Sequence, residues 1–543
     1  VHPLMTILTH RITEGLLRKS LTKCSVWTER YRVSGKPFPG AWSFKHHTWT
    51  REMCDCQDEL IIGQKAAQMG YTEVALNRTF FDIDIRGESV LYVLPASKPD
   101  ASDFSSSRFD PALELSSHLT NLFSEVKNIN HKRAGSANLY IRGSRSRSQL
   151  KSIPVARIIF DEVDEMNRDN VALARERVSG QKEWSIFELS TPTVPDRGIN
   201  ASFKQSSQDH FDFRCPACNR WTELIFPDCL VIQGDDIHDV AIKGSHLICK
   251  ECKTKLPHKT KHEWLKDAEW HSRRKSSMSR GFYINQLYSP TVTPYTIAIN
   301  VIEAETHPGK EQELFNSKMG LPKIVEGARV TDQDLDGCLS GHKMGQTKRS
   351  TLTTMGVDVG KVLNIEICEW VMDRDSTDIN IASQPRVLLA TTRLHFEELD
   401  NLMLEYNINF CIIDANPERR KATEFAQRFE GLVKLCFYAV GVQGKQMTVH
   451  PDEEYTLSVD RTSWMDVALC RFKGKRIRLP LDIPTTYREQ VKEPVRVYKT
   501  DRYGNPVARY IEGDKPDHYA HSRTYNEIAL QLAASIGGSH DII

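Results

Sequence analysis

"ARIIFDEVDEM" (residues 156–166) sets an apolar run, Ile158-Ile159-Phe160, directly against four carboxylates, Asp161, Glu162, Asp164 and Glu165. A short β-branched and aromatic run of this kind predicts a buried strand. Charge crowded at its end is tolerable where a divalent cation and basic groups share the site. Open α/β sheets bind their ligands at the C-terminal ends of their strands. The pattern is the Walker B arrangement, with Asp161 holding Mg2+ through water and Glu162 polarising the water that attacks a γ-phosphate. The plainer alternative is an acidic loop after an ordinary strand.

The flanking segments agree with a sheet. "VLYVLP" (90–95), "NLYIRG" (138–143) and "WSIFELS" (184–190) alternate with helical stretches, which predicts a mostly parallel sheet with helices on its faces. A Walker B strand needs a phosphate cradle upstream, and the pattern G-x-x-x-x-G-K-[ST] is absent. In its place stands "ELIIGQKAAQMGYTEVALN" (59–77): an apolar strand at Leu60–Ile62, a loop carrying Gly63, Lys65 and Gly70, then Thr72 where a helix begins. Backbone N–H groups of such a loop and helix start favour anions. Lys65 would reach the phosphates and Thr72 would ligate Mg2+; a plain strand–turn–helix is the alternative. "ELSTPT" (188–193), at the exit of the next strand, offers small hydroxyls to sense the γ-phosphate.

"CPAC" (215–218) and "CKEC" (249–252) present Cys215, Cys218, Cys249 and Cys252 as two C-x2-C pairs. Four thiolates so spaced suit tetrahedral Zn2+ and leave no position open, which points to a structural ribbon. Cys229, between the pairs, is read as a spare thiol.

A second carboxylate set follows residue 351. Asp358 lies within "TMGVDVG", Asp414 ends "FCIIDAN", and Asp517 opens a late helix in "KPDHYAHSRTYNE". Three carboxylates from two strands and a helix would hold two divalent ions for phosphodiester cleavage. The strand-turn-strand around Asp358 fits the first hairpin of an RNase H-like sheet. Asp517 has the alternative role of a helix cap, and Asp460 and Asp466 remain rivals for third ligand.

At 543 residues the chain exceeds what one core usually serves. Lys plus Arg (72) balance Asp plus Glu (71), so contact with nucleic acid would rest on local basic patches. Thirteen scattered cysteines argue for reduced thiols and a metal over a disulfide framework. No apolar run approaches a membrane span, and His2, His10 and Arg11 interrupt the N-terminus, unlike a signal peptide. The predicted organisation is a lead-in over 1–60, an ATPase domain over 61–330 with a zinc ribbon at about 210–260, a linker over 331–350, and a nuclease domain over 351–543.

Taken in order, these segments resemble the phage terminase large subunit, in particular the lambda-like GpA family. "PGAWSFKHHTWTREMCD" is similar to its adenine-side segment, "KAAQMGYTE" to its deviant Walker A with an early lysine, and "RIIFDEVDEM" to its Walker B. The cysteines resemble its ribbon insertion, and "GVDVG", "IIDAN" and "DHYAHSRTYNEIAL" its nuclease. The resemblance implies an ASCE-type P-loop ATPase followed by an RNase H-like nuclease, using ATP, Mg2+ or Mn2+, and structural Zn2+. It implies Lys65, Gly70, Thr72 and Asp161 at the nucleotide, Glu162 as catalytic carboxylate, and Asp358, Asp414 and Asp517 as nuclease ligands. It also implies work on double-stranded DNA with a small terminase subunit, as a homo-oligomeric ring on the portal of a procapsid, in the cytoplasm of the infected host. Two other classes fit parts of the pattern. A helicase–nuclease of repair or defence would need further helicase motifs after the Walker B. A zinc-ribbon recombinase or transposase would leave Asp161 and Glu162 unused.

Overall fold

A computed structural model describes residues 21–537, apart from 125, 129, 152, 347–351, 373–382, 440–443, 445–446, 450–454, 501–505, 512 and 514. Residues 1–20 of the expected lead-in lie outside the described residues. The chain forms two compact units, residues 1–323 and 324–543. Among the described residues no helix is long and apolar enough to cross a membrane.

The first unit is built on β1 (Leu60–Lys65), α1 (Tyr71–Phe81), β2 (Val90–Leu94), β3 (Ala137–Gly143), β4 (Arg157–Asp161), β5 (Ser185–Ser190), α2 (Gly198–Gln205), β6 (Asp209–Arg214) and β7 (Arg280–Ile284). These strands lie in the order β6-β7-β1-β5-β4-β2-β3, and every neighbouring pair is parallel. Short antiparallel strands finish both edges. β2, β4 and β5 are buried at every residue, as a parallel sheet covered on both faces requires. Burial on both faces is why β2 and the middle of β4 read as continuous apolar runs, while Glu188 within β5 is paired with Arg175. β1 runs past the apolar Leu60–Ile62 through Lys65, because Gly63, Gln64 and Lys65 keep pairing with β7. Lys65 therefore ends a strand, where the sequence suggests a loop position.

The second unit contains β8 (Leu352–Val359), β9 (Leu363–Met372), β10 (Ser383–Arg393), β11 (Phe410–Asp414), β12 (Val433–Tyr438), β13 (Met447–Val449), β14 (Thr456–Val459), α3 (Arg461–Lys473) and α4 (His518–Gly537). The sheet order is β10-β9-β8-β11-β12-β14-β13. β8 to β10 form an antiparallel meander, while β11, β12 and β14 run parallel to β8. Of the stretch read as a linker over 331–350, the described residues 331–346 fold into this unit, and 347–350 lie outside the described residues. Thr331 closes a capping box on the helix Asp332–Asp336, and Val330, Leu335 and Cys338 are buried beside Phe472 and Leu479.

α4 packs directly on β8. A Cβ at Gly356 would lie 2.0 Å from Ser522 O and 2.8 Å from Asn526 N, so only glycine admits the helix this closely. Beneath the helix is a charged cluster with no exposed surface. Arg523 donates to Glu366 Oε1 at 2.7 Å and to Glu527 Oε1 at 2.6 Å, Arg471 donates to both Glu527 oxygens at 2.7 and 2.8 Å, and Tyr487 donates to Glu366 Oε2 at 2.5 Å. Two cations answer two anions, and hydrogen bonds occupy the carboxylate oxygens, the condition under which buried charge is tolerated. Gly356→Ala is expected to lower stability by about 1–3 kcal/mol, the usual cost of overpacking, read as a shifted denaturant midpoint of the full chain. An unchanged midpoint would contradict the close helix–strand contact.

Candidate functional site

The C-terminal ends of β1, β4 and β5 bring the first set of residues together. Lys65 donates from Nζ to Glu162 Oε1 at 2.6 Å and to Thr191 Oγ1 at 3.2 Å. Glu162 Oε2 accepts from Ser190 Oγ at 3.2 Å and from the Thr191 backbone N–H at 3.3 Å. Burial opposes the Glu162 charge, but Lys65 outweighs it and holds this carboxyl below its usual range. Glu162 also sits at φ 64°, in the left-handed region. That conformation costs a non-glycine residue on the order of 1–3 kcal/mol and survives only where surrounding contacts impose it. Here the Lys65, Ser190 and Thr191 contacts do so.

Asp161 is buried at the end of β4. Its Oδ2 accepts from Tyr92 Oη at 2.6 Å, while Oδ1 is buried without a hydrogen-bond partner. Burial, then the neighbouring Glu162 charge, pushes Asp161 up to about 6, against the opposing pull of Lys65, Tyr92 and Thr72. An orphaned carboxylate oxygen beside the Thr72 hydroxyl fits a divalent cation. Gly70, at φ 81°, immediately precedes α1 and opens the helix whose first turn carries Thr72. Two of the loop N–H groups expected to cradle phosphate are otherwise engaged, Ala66 with Ile284 O at 2.9 Å and Ala67 with Ser317 O at 2.7 Å. Anion binding falls to the remaining loop and the N-terminus of α1.

In the second unit, Asp358 and Asp414 stand on adjacent parallel strands, next to the paired Val357 and Ile413. Burial first, and then the Asp358 charge, pushes Asp414 up to about 6. His518 Nδ1 lies 2.8 Å from Asp358 Oδ2, and this bond raises the imidazole pKa. Asp517 directly precedes α4. Burial would raise it, but His521 Nε2 at 3.5 Å, Arg461 at 3.8 Å and His518 keep it below the usual range. Positions 517, 521 and 525 follow the helical repeat, so one face carries Asp517, His521 and Tyr525, and Tyr525 is bonded to Asp414. The rival ligands have other work. Asp460 caps α3 through Ser463 N at 2.7 Å, and Asp466 pairs with Arg496 at 2.9 Å and Tyr510 at 2.9 Å.

The ligand atoms of Cys215, Cys218, Cys249 and Cys252 all lie within 4.8 Å of one another. Their two turns match: Asn219 N bonds Cys215 O at 2.8 Å and Lys253 N bonds Cys249 O at 3.0 Å, with both closing residues at positive φ. Strands Leu230–Val231, His246–Ile248 and Lys255–Leu256 form a small sheet between and after the knuckles. Four thiols so gathered suit one tetrahedral metal ion.

Sequence reading passes over two residues here. Tyr92 signals itself by a lone hydroxyl inside the apolar run 90–94, since a buried hydroxyl needs a partner. Asp164 enters the sequence reading only as part of the acidic cluster. It accepts from Thr193 N and Oγ1, both at 2.9 Å, and from Ile199 N at 2.7 Å, tying the β5 exit to α2. Nothing local in the sequence predicts that role, because its donors lie some thirty residues downstream.

A parallel α/β sheet with a lysine, paired carboxylates and a helix N-terminus at one edge has the chemistry to receive a phosphate and a divalent cation. Residues 36–270 match the family model described as phage terminase large subunit gpA, ATPase domain. No curated protein matches the sequence. Solved structures similar to this chain include the HK97 bacteriophage large terminase, at 9% identity and TM-score 0.49, covering 94% of this chain and 99% of that one. The large terminase of a thermophilic bacteriophage has 10% identity and TM-score 0.31 over 90% of this chain and 98% of its own. The large terminase nuclease of thermophilic phage G20c, with bound magnesium, has 12% identity and TM-score 0.23 over 36% of this chain and 96% of its own.

Cys215→Ser and Cys249→Ser are expected to lose bound zinc and to melt at lower temperature, whereas Cys229→Ser keeps its zinc. Metal analysis of the three purified variants decides. Equal zinc in all of them would show that the quartet does not hold it.

Proposed function

We propose that this chain is the large subunit of a phage DNA-packaging terminase, with a P-loop ATPase in the first unit and an RNase H-like nuclease in the second. The observation that carries the motor half is the convergence of Lys65, Asp161 and Glu162 at one sheet edge, inside the segment that matches the terminase ATPase model. Lys65 and the start of α1 bind the triphosphate. A divalent cation held by Asp161 and Thr72 offsets phosphate charge when bound. Glu162, released from Lys65 by the incoming phosphates, accepts the proton of the attacking water. Ser190 and Thr191, bonded to the same carboxylate, feel the change when the γ-phosphate departs.

In the second unit, Asp358, Asp414 and Asp517 would hold the Mg2+ or Mn2+ ions that cut double-stranded DNA. The raised pKa of Asp414 beside Asp358 supports this, since adjacent carboxylates favour a shared cation. The quartet would hold structural Zn2+. Packaging would further require a small terminase subunit and the portal of a procapsid, with the chain in a homo-oligomeric ring in the cytoplasm of the infected host.

Glu162→Gln is expected to cut ATP turnover by at least about 10²-fold, the low end for loss of a general base, while nucleotide still binds. Turnover close to wild type would remove Glu162 from the mechanism. Asp358→Asn is expected to abolish Mg2+- or Mn2+-dependent nicking of supercoiled plasmid and to leave ATP turnover intact. Retained nicking would move the nuclease centre elsewhere.

A further inference from the structure

We propose that Tyr92 is a positioning residue of the ATPase centre: its hydroxyl fixes Asp161 Oδ2 so that Oδ1 faces the divalent cation that accompanies the nucleotide. The inference rests on Asp161 being the cation-holding carboxylate. Tyr92 lies in the middle of β2, beside β4, in the register that pairs Tyr92 with Ile159 and Val93 with Phe160. Its ring has no exposed surface and stacks on Phe104, with centroids 4.6 Å apart and planes inclined by 28°. The hydroxyl therefore has little freedom, and it meets Asp161 Oδ2 at 2.6 Å. A carboxylate rotates easily about its last torsion, and one fixed donor removes that freedom.

The choice of donor matters. Lys65, the nearby cation, spends its Nζ bonds on Glu162 and Thr191. A lysine on Asp161 would neutralise it and compete with a metal ion. The Tyr92 hydroxyl is a neutral donor and meets Asp161 Oδ2 at hydrogen-bond distance. Asp161 thus keeps its charge and gains an orientation, with Oδ1 left without a partner. Donors behind metal ligands act in this way, and their loss typically weakens metal affinity by about 10- to 100-fold.

The test uses the full chain and reads, by electron paramagnetic resonance, the part of Mn2+ binding that depends on added ATPγS, alongside the Mg2+ dependence of ATP turnover. Tyr92→Phe keeps the stacked ring and removes only the hydroxyl. It is expected to raise the Mn2+ dissociation constant and the half-saturating Mg2+ concentration by about 10-fold. Excess Mg2+ should restore most of kcat, and nucleotide binding in EDTA should be unchanged. A purely structural role would lower kcat and stability without moving the metal dependence. Wild-type Mn2+ affinity in Tyr92→Phe overturns the proposal. Should that variant fail to fold, Phe104→Leu, which frees the ring, decides in its place: a raised Mn2+ dissociation constant supports the proposal and an unchanged one overturns it. Asp161→Asn separates the two levels. If it binds Mn2+ as wild type does, the cation site itself is misassigned and the Tyr92 role falls with it. If it loses Mn2+ while Tyr92→Phe retains it, only the positioning role fails.

Discussion

Each unit of this chain must keep two carboxylates side by side in a largely buried setting, and much else in the fold follows from that constraint. Adjacent buried acids raise each other's pKa and tend to protonate. The first unit answers asymmetrically. Glu162 takes the Lys65 ammonium as a direct partner, whereas Asp161 is bonded to the neutral hydroxyl of Tyr92, feels Lys65 only at a distance, and stays near 6. The second unit uses histidine, with His518 on Asp358 and His521 beside Asp517, and leaves Asp414 near 6. In both, one acid has a basic side chain as a direct partner and its neighbour stays near 6.

This asymmetry also explains the strand ends. Parallel strands covered on both faces carry no polar side chains along their length without a partner, so charge accumulates at the C-terminal edge, where helix N-termini and basic side chains meet it. The left-handed backbone at Glu162 turns the chain sharply out of β4 and points the carboxylate back at β1 and β5. A glycine would relax that turn but would supply no carboxylate.

The sheet strands are legible because double-sided burial makes continuous apolar runs, and "IIFDE" marks both the strand and its end. The cysteine spacing is equally plain, since metal geometry dictates it. Lys65 stands out in the sequence, yet its place at the end of a strand does not: Gly63 and Gln64 carry no β signal, and pairing with β7 and β5 extends β1. The folded character of 331–346 is hidden for a related reason. Its apolar anchors, Leu335 and Cys338 with Val330 just before them, are too sparse to show a period, and the surface that receives them comes from far along the chain. Asp164 and Tyr92 illustrate the same limit, because their partners are set by tertiary packing and not by neighbours in sequence.

The sealed ionic cluster under α4 has a bearing on how this chain can drift over generations. Arg471, Arg523, Glu366 and Glu527 balance one another in the buried interior. Losing any one strands an opposite charge in the interior, a step that typically costs about 3–5 kcal/mol. That is a large fraction of the stability of most folded domains. Viable lineages should therefore exchange these positions in oppositely charged pairs or not at all, so that correlated replacement at 366 with 523, and at 471 with 527, becomes the signature that distant relatives retain this helix-on-sheet contact.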